Sequence, residues 1–185
     1  MGSRIKSVNN KSDTSENTVE SHKNTVRAFL QTHGEVVSKK ALRAGTDVPA
    51  WYITQISSTD TFYTSLNHNG KYIATKHIVG HRSTHDGFWR PEVDDGTAVF
   101  HRKETTKATL KYLSFRRPSG LTPTEARDLL DRQCYRPLRK LSENEEVYAT
   151  DWNNTTVYTH SWPSRRDDQL SQRQTDQPTA ATPDD

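Results

Sequence analysis

The sequence predicts a mainly α fold with small antiparallel β-hairpins, an α+β arrangement of two tandem modules between disordered ends. Three observations predict it. Every aromatic residue lies between Phe29 and Trp162, so the core-forming material is central. The hydrophobic period switches from helical to strand spacing at Phe62 and again at Val147. Before each switch the order of segments is the same: helix, helix, helix, then hairpin.

The ends follow from composition. Only 30% of the 185 residues are apolar, too few for one large core spread evenly along the chain. Residues 1–24 hold only Met1, Ile5, Val8 and Val19 as apolar side chains, and residues 163–185 hold only Leu170, Ala180 and Ala181. Neither stretch buries enough to offset its ordering entropy, so both are expected to be disordered tails. No apolar run reaches membrane-spanning length, and no signal-peptide core follows Met1. The lone Cys134 excludes an internal disulfide and a cysteine-built zinc site. The expectation is a cytoplasmic, nucleoid-associated protein with no membrane partner.

The first module is expected over 25–76. Val26, Phe29 and Leu30 form an i, i+3, i+4 stripe that ends near Gly34. Ser38 suits the cap of a second helix, Lys39 to Ala44, closed by Gly45. Asp47 suits the cap of a third, with Pro49 in its first turn and Trp51, Tyr52, Ile53 and Ile56 following. At least one of Trp51 and Tyr52 should be core. Residues 62–66 and 71–75 are β-rich and flank Asn67-His68-Asn69-Gly70, a hairpin turn signal.

The second module is expected over 105–162. Ala108, Leu110, Tyr112 and Leu113 mark a helix from Lys107 to Phe115, broken at Pro118-Ser119-Gly120. Thr122, Pro123 and Glu125 form a capping-box signature for the next helix, which runs to about Asp131. Pro137 to Leu141 makes a short third helix. Val147–Thr150 and Thr155–Thr159 then flank the turn residues Asn153-Asn154. The connecting segment, 77–104, is expected to form one more hairpin, Gly87–Arg90 with Ala98–His101, packed against a module because it holds Phe88, Trp89 and Phe100.

The halves lie on each other at low identity. A shift of 84 places Thr25, Val26 and Phe29 on Thr109, Leu110 and Leu113, and Val37 and Ser38 on Leu121 and Thr122. A shift of 85 places Ile53 and Ile56 on Leu138 and Leu141, Tyr63 on Tyr148, and Tyr72 and Ile73 on Val157 and Tyr158. One residue inserted between the second and third helices accounts for the change. In element order both halves resemble the winged helix-turn-helix superfamily. The stretch LTPTEARDLLDRQCYRPLRKLSENEEVYATDWNNTTVY (121–158) resembles it most.

That resemblance implies a third helix entering the major groove and a wing touching backbone or minor groove. In the second module it assigns Arg136, Arg139 and Lys140 outward, with Leu138 and Leu141 inward. In the first it assigns Thr54, Gln55 and Ser58. Lys39, Lys40 and Arg43 on the second helix would lie near phosphates. Wing contacts would come from His68, Asn69 and Lys71, and from Asn153, Asn154 and Thr156. Each set has a plain alternative: a solvated basic face, ordinary surface residues, or turn chemistry for the asparagines.

Charge agrees in its distribution more than in its sum of +3. Residues 109–141 hold eight basic and three acidic residues, while Glu143, Glu145 and Glu146 follow at once. These glutamates raise the competing expectation that they neutralise the second module and make it a docking side. His77, His81 and His85 would line one face of a helix and bind a metal. The intervening Ile-Val-Gly and Arg-Ser-Thr are poor helix material, however, so they are read as loop histidines. His101 with Asp94 and Asp95 lacks a nuclease arrangement, and no phosphate loop or nucleophile motif is present. The expected protein is a non-enzymatic, sequence-specific binder of double-stranded DNA with no cofactor or metal. Its role would be regulation of transcription or replicon maintenance, possible further partners being itself or another regulatory protein. The alternatives are a protein-interaction scaffold and a nuclease or recombinase accessory.

Overall fold

The computed structural model describes residues 11–56, 59 and 61–176, with side chains from residue 17 onward. The disorder expected of residues 1–10 and 177–185 lies outside the described residues. Eight α-helices and small antiparallel sheets make up the described chain. None of these helices is long and apolar enough to cross a membrane.

In the first half α1 (Lys11–His33) leads into β1 (Val36–Ser38), α2 (Lys39–Gly45), α3 (Ala50–Gln55), β2 (Phe62–Thr64) and β3 (Tyr72–Thr75). Ser38 caps α2, its hydroxyl accepting from the Ala41 N–H at 3.1 Å. The start of α3 differs from expectation: Pro49 precedes the helix and Asp47 makes no cap. Thr46 occupies the local donor instead, accepting from the Val48 N–H, while Val48 itself is buried. β3 is the middle strand, with Val37 opposite Ile73 and Tyr63 opposite Ala74. Its side chains alternate between two apolar environments. Ile73 joins Val26, Leu30, Leu42, Ile53 and Phe62, while Tyr72 and Ala74 join Val79, Ala98 and Phe100 on the other face.

After α4 (Lys76–Arg82) comes the connecting hairpin: β4 (Phe88–Trp89), β5 (Glu92–Val93), β6 (Gly96–Thr97) and β7 (Phe100–His101). Phe88 faces His101 and Trp89 faces Phe100, within the two segments the sequence indicated. This hairpin packs against both halves. Phe100 and Ala98 face the first, whereas Phe88 and Val99 enter the core of the second with Leu110, Leu130, Leu138 and Leu141.

The second half repeats the order with α5 (Thr106–Arg116), a single bridge at Leu121, α6 (Pro123–Leu130), α7 (Tyr135–Glu143), β8 (Tyr148–Trp152) and β9 (Thr155–Thr159). α6 carries the full capping box: the Glu125 N–H donates to Thr122 Oγ1 at 3.2 Å and the Thr122 N–H to Glu125 Oε2 at 2.7 Å. α7 begins two residues before Pro137, which therefore sits in the first turn where no intrahelical donor is lost. Strand pairing obeys the sequence shifts. Leu121 bridges Tyr158 as Val37 pairs with Ile73, and Tyr148 faces Thr159 as Tyr63 faces Ala74.

Three further helices depart from expectation. α1 begins inside the supposed tail, at Lys11 rather than Thr25. Once Val26 and Leu30 are buried, extending the helix into polar sequence costs little, and Glu20 pairs with Lys23 and Arg27 along the way. α4 forms despite its Ile-Val-Gly centre because tertiary contacts hold it. Thr75 caps its start, Val79 is fully buried, and the Arg102 guanidinium donates to Gly80 O and Ser83 O at 3.2 Å each. α8 (Pro163–Asp176) replaces most of the second expected tail and is anchored by polar burial. Gln169 donates to Ser114 O and Arg117 O at the end of α5, and buried Arg173 donates to Ser119 O and Glu125.

Arg173→Ala should therefore lower stability by about 2–4 kcal/mol, since it strips partners from buried acceptors and a carboxylate. Urea denaturation would measure this, and an unchanged midpoint would show that α8 is peripheral.

A second expectation concerns His101, 2% exposed in the connecting hairpin. Its Nδ1 accepts from the Lys103 N–H at 2.9 Å, leaving Nε2–H to donate to Asp86 O at 3.2 Å. Burial pushes its pKa from 6.5 down to about 4, outweighing the raising effect of the Asp86 carbonyl. Between those values the unfolded chain takes up a proton that the folded chain refuses, so His101 costs stability progressively as pH falls from 6.5 to about 4. Relative to wild type, His101→Gln should be least stable at neutral pH, and the gap should narrow across this window. A gap independent of pH would mean that His101 does not stay neutral in the fold.

Candidate nucleic-acid interface

The residues assigned to DNA fall into three places. On α2, Lys40 and Arg43 are exposed and Lys39 is half-buried. Burial lowers the Lys39 pKa, and the Arg43 charge lowers it further. Arg43 reaches across to α3, where its guanidinium donates to Thr54 Oγ1 at 3.4 Å; the same hydroxyl donates to Ala50 O. Arg43 and Thr54 thus stand together. Gln55 is exposed on the same helix, and Ser58 lies outside the described residues. Of the neighbouring aromatics, Tyr52 is core while Trp51 is 52% exposed, edge-on to the His22 ring of α1.

The second place is α7. Leu138 and Leu141 are fully buried, which turns Arg136, Arg139 and Lys140 to solvent as the spacing required. The Arg139 Nε lies 2.7 Å from Glu143 Oε1, one turn on. This is an exposed pair, worth little and free to exchange for another anion. Of the three glutamates Glu143, Glu145 and Glu146, the last is taken by Lys107 and Lys111 of α5, so it does not neutralise α7. Tyr135, at the first position of α7, is 52% exposed beside these cations.

The third place is the hairpin turns, and here the two halves diverge. In the second hairpin Asn153 and Asn154 take left-handed conformations, φ 44° and 62°, closing a two-residue turn that projects from the fold. Asn154 is exposed, whereas half-buried Thr156 donates to Asp151 Oδ1 at 3.4 Å. The first hairpin turn is committed to tertiary structure. Lys71 is ion-paired with Asp95 of the connecting hairpin, and Tyr72 donates to the same carboxylate at 2.8 Å. The hydrogen bond from Lys71 is the main cause holding the Asp95 pKa down. His68 lies 3.1 Å from Thr97 O.

Asn67, 2% exposed at the base of that turn, is the centre of the arrangement. Its Nδ2 donates to Thr97 O at 2.7 Å and to Asp131 Oδ2 at 3.1 Å, while its Oδ1 accepts from the Val99 N–H at 2.9 Å. Arg132 donates to Leu66 O at 2.7 Å and Arg90 to Leu129 O at 2.7 Å. The first hairpin turn is thereby joined to the α6–α7 turn of the other half.

Sequence reasoning missed Asn67 because turn chemistry accounted for it in full, and gave Arg132, just past the expected helix end at Asp131, no reading. It missed Arg127, exposed on α6, although the shift of 84 maps it onto Arg43. The exposed Trp51 and Tyr135 had no signal beyond their positions next to the assigned residues. Neither a family model, a curated protein nor a solved structure matches the chain.

Asn67→Ala should cost about 1–3 kcal/mol, because two acceptors and a backbone donor lose their buried partner. It should also raise hydrogen exchange at Val99 and around Asp131 ahead of the rest of the chain. Exchange rising uniformly would show that the joint opens only with global unfolding.

Proposed function

We propose that the chain is a sequence-specific double-stranded DNA-binding protein, built from two winged helix-turn-helix modules and acting in transcription regulation or replicon maintenance. The observation that carries this reading is the repeated architecture. A helix, a short strand or bridge, two helices and a hairpin occur twice, with the same strand partners at the sequence shifts. In such modules the exposed face of the third helix is the groove-reading surface. Here that face bears Arg136, Arg139 and Lys140 on α7, suited to phosphate or guanine recognition. On α3 it bears Trp51, Thr54 and Gln55, with Lys40 and Arg43 beside them. A cytoplasmic, nucleoid-associated location belongs to the same proposal.

The DNA-facing set shifts from the sequence expectation in one respect. With Lys71 paired to Asp95 and Asn67 holding the modules together, the first hairpin serves as a joint, and the second, with Asn153 and Asn154 at its tip, is the free wing. Electrostatic affinity should then come mainly from α7 and from α2.

A second reading, a protein-docking role for the first module, is favoured by one specific observation: its third helix presents exposed Trp51 among uncharged residues.

Fluorescence-anisotropy titration with random duplex at two salt concentrations separates the two readings. Binding should weaken steeply with salt, and replacing Arg136 and Arg139 by Ala should flatten the salt slope by about one unit for each phosphate no longer neutralised. Gln55→Ala should leave the slope nearly unchanged. Salt-insensitive or undetectable binding would favour docking, and weakening seen only on changing Lys39, Lys40 and Arg43 would move the main DNA surface to the first module.

A further inference from the structure

We propose that His77 and His81 on α4 form a site for one divalent transition-metal ion of the class that prefers imidazole, Ni²⁺, Cu²⁺ or Zn²⁺, with the remaining coordination positions open to water. The inference is independent of DNA binding. The two residues stand at i and i+4, which places them one above the other on a single helical face. Their rings are stacked with centroids 6.4 Å apart and planes 29° from parallel, and both side chains are exposed. Among the described residues no group accepts from or donates to either ring, so their nitrogens are uncommitted. Between them Gly80 leaves open space, since a side chain there would meet nothing within 4 Å.

What distinguishes this pair from two surface histidines on a fraying segment is the rigidity of its helix. α4 is held at its start by the Thr75 cap, at its middle by buried Val79, and at its end by Arg102 and Ser83 on the last carbonyls. Arg82 is tied to Glu35 and Lys76 to Glu104, so two of the neighbouring cations are matched by carboxylates and repel a dication less. An ion about 2.0–2.1 Å from each ring nitrogen holds two imidazole centroids about 5 Å apart in a tetrahedral or octahedral shell. The observed 6.4 Å lies above that value, so ion binding requires the two exposed side chains to rotate toward each other. No group of three or more His, Cys, Asp or Glu among the described residues is placed to hold an ion, so the protein supplies two ligands. His85 lies beyond the helix end at Arg82 and is no part of the site.

Isothermal titration of the full chain with NiCl₂, and separately with ZnCl₂, tests the assignment. The expected result is one ion per chain, with His77→Ala and His81→Ala each losing on the order of tenfold or more in affinity, since even outer-shell partners of a metal cost 10–100-fold. His85→Ala should bind like wild type. Circular dichroism of each variant should match wild type, since both side chains are exposed. Binding that is absent from wild type, or that survives in both single variants, would overturn the site. An equal loss in His85→Ala would overturn the two-ligand geometry.

Discussion

The fold turns on β3 being buried on both faces and paired on both edges. A strand in that position has no solvent side, so Tyr72, Ile73 and Ala74 are all apolar or aromatic and all nearly inaccessible. One face closes the core of α1, α2 and α3; the other requires a cover, which α4 and the connecting hairpin supply. The hairpin can cover it only if its position relative to β3 is fixed. Asn67 does this from the turn that precedes β3, bonding the backbone at Thr97 and Val99. The same side chain reaches Asp131, and the second half is thereby placed. A polar residue buried at such a junction specifies geometry because every one of its hydrogen-bonding groups must find the correct partner.

Where local chemistry and burial pointed the same way, the sequence was readable. The capping box at Thr122 and Glu125 and the cap at Ser38 were visible as motifs, and the alternation in 62–75 and 147–159 located both hairpins. The shifts relating Val37 to Leu121 and Ile73 to Tyr158 hold for the strand pairs as well, although no strand was expected at Val37 or Leu121, where no local pattern marks one. Apolar counting failed at the ends because it treats burial as a property of hydrophobic residues. α8 is held by an amide and a guanidinium, Gln169 and Arg173, which satisfy carbonyls left over at and just beyond the end of α5. α4 was read as loop because Ile, Val and Gly are modest helix formers, and propensity yields to packing when both ends and the middle are pinned.

The candidate interface was legible in outline for a related reason. A helix with two buried leucines leaves its other positions no choice but to face solvent, so Arg136, Arg139 and Lys140 follow from Leu138 and Leu141. Nothing comparable announces what a turn residue will do. Lys71 and Asn154 both read as tip residues, yet one is paired within the fold and the other projects from it. The difference lies in what is packed beside each hairpin, which is information carried by sequence some 24 residues away, at Asp95.

The repeat extends further than the helices and hairpins that first suggested it. Tyr63 and Tyr148 occupy equivalent strand positions, and each ring carries a cation from the helix that follows its hairpin. Lys76 of α4 sits 5.2 Å from the Tyr63 centroid, and Arg166 of α8 sits 4.3 Å from that of Tyr148. In both halves the hairpin therefore continues into a helix that folds back beside it, so each unit ends in a cover helix. The halves differ in the segment that leads up to the second helix's cap. Gly120, at φ 71° before α6, lets the chain pass so close to β9 that a Cβ there would meet Thr159, Val157 and the Tyr158 carbonyl at 2.8, 2.9 and 3.0 Å. The second unit keeps only a single bridge at Leu121 where the first has the three-residue strand β1. In both units the paired segment runs directly into the cap, Ser38 in the first and Thr122 in the second, so pairing ends where the helix begins.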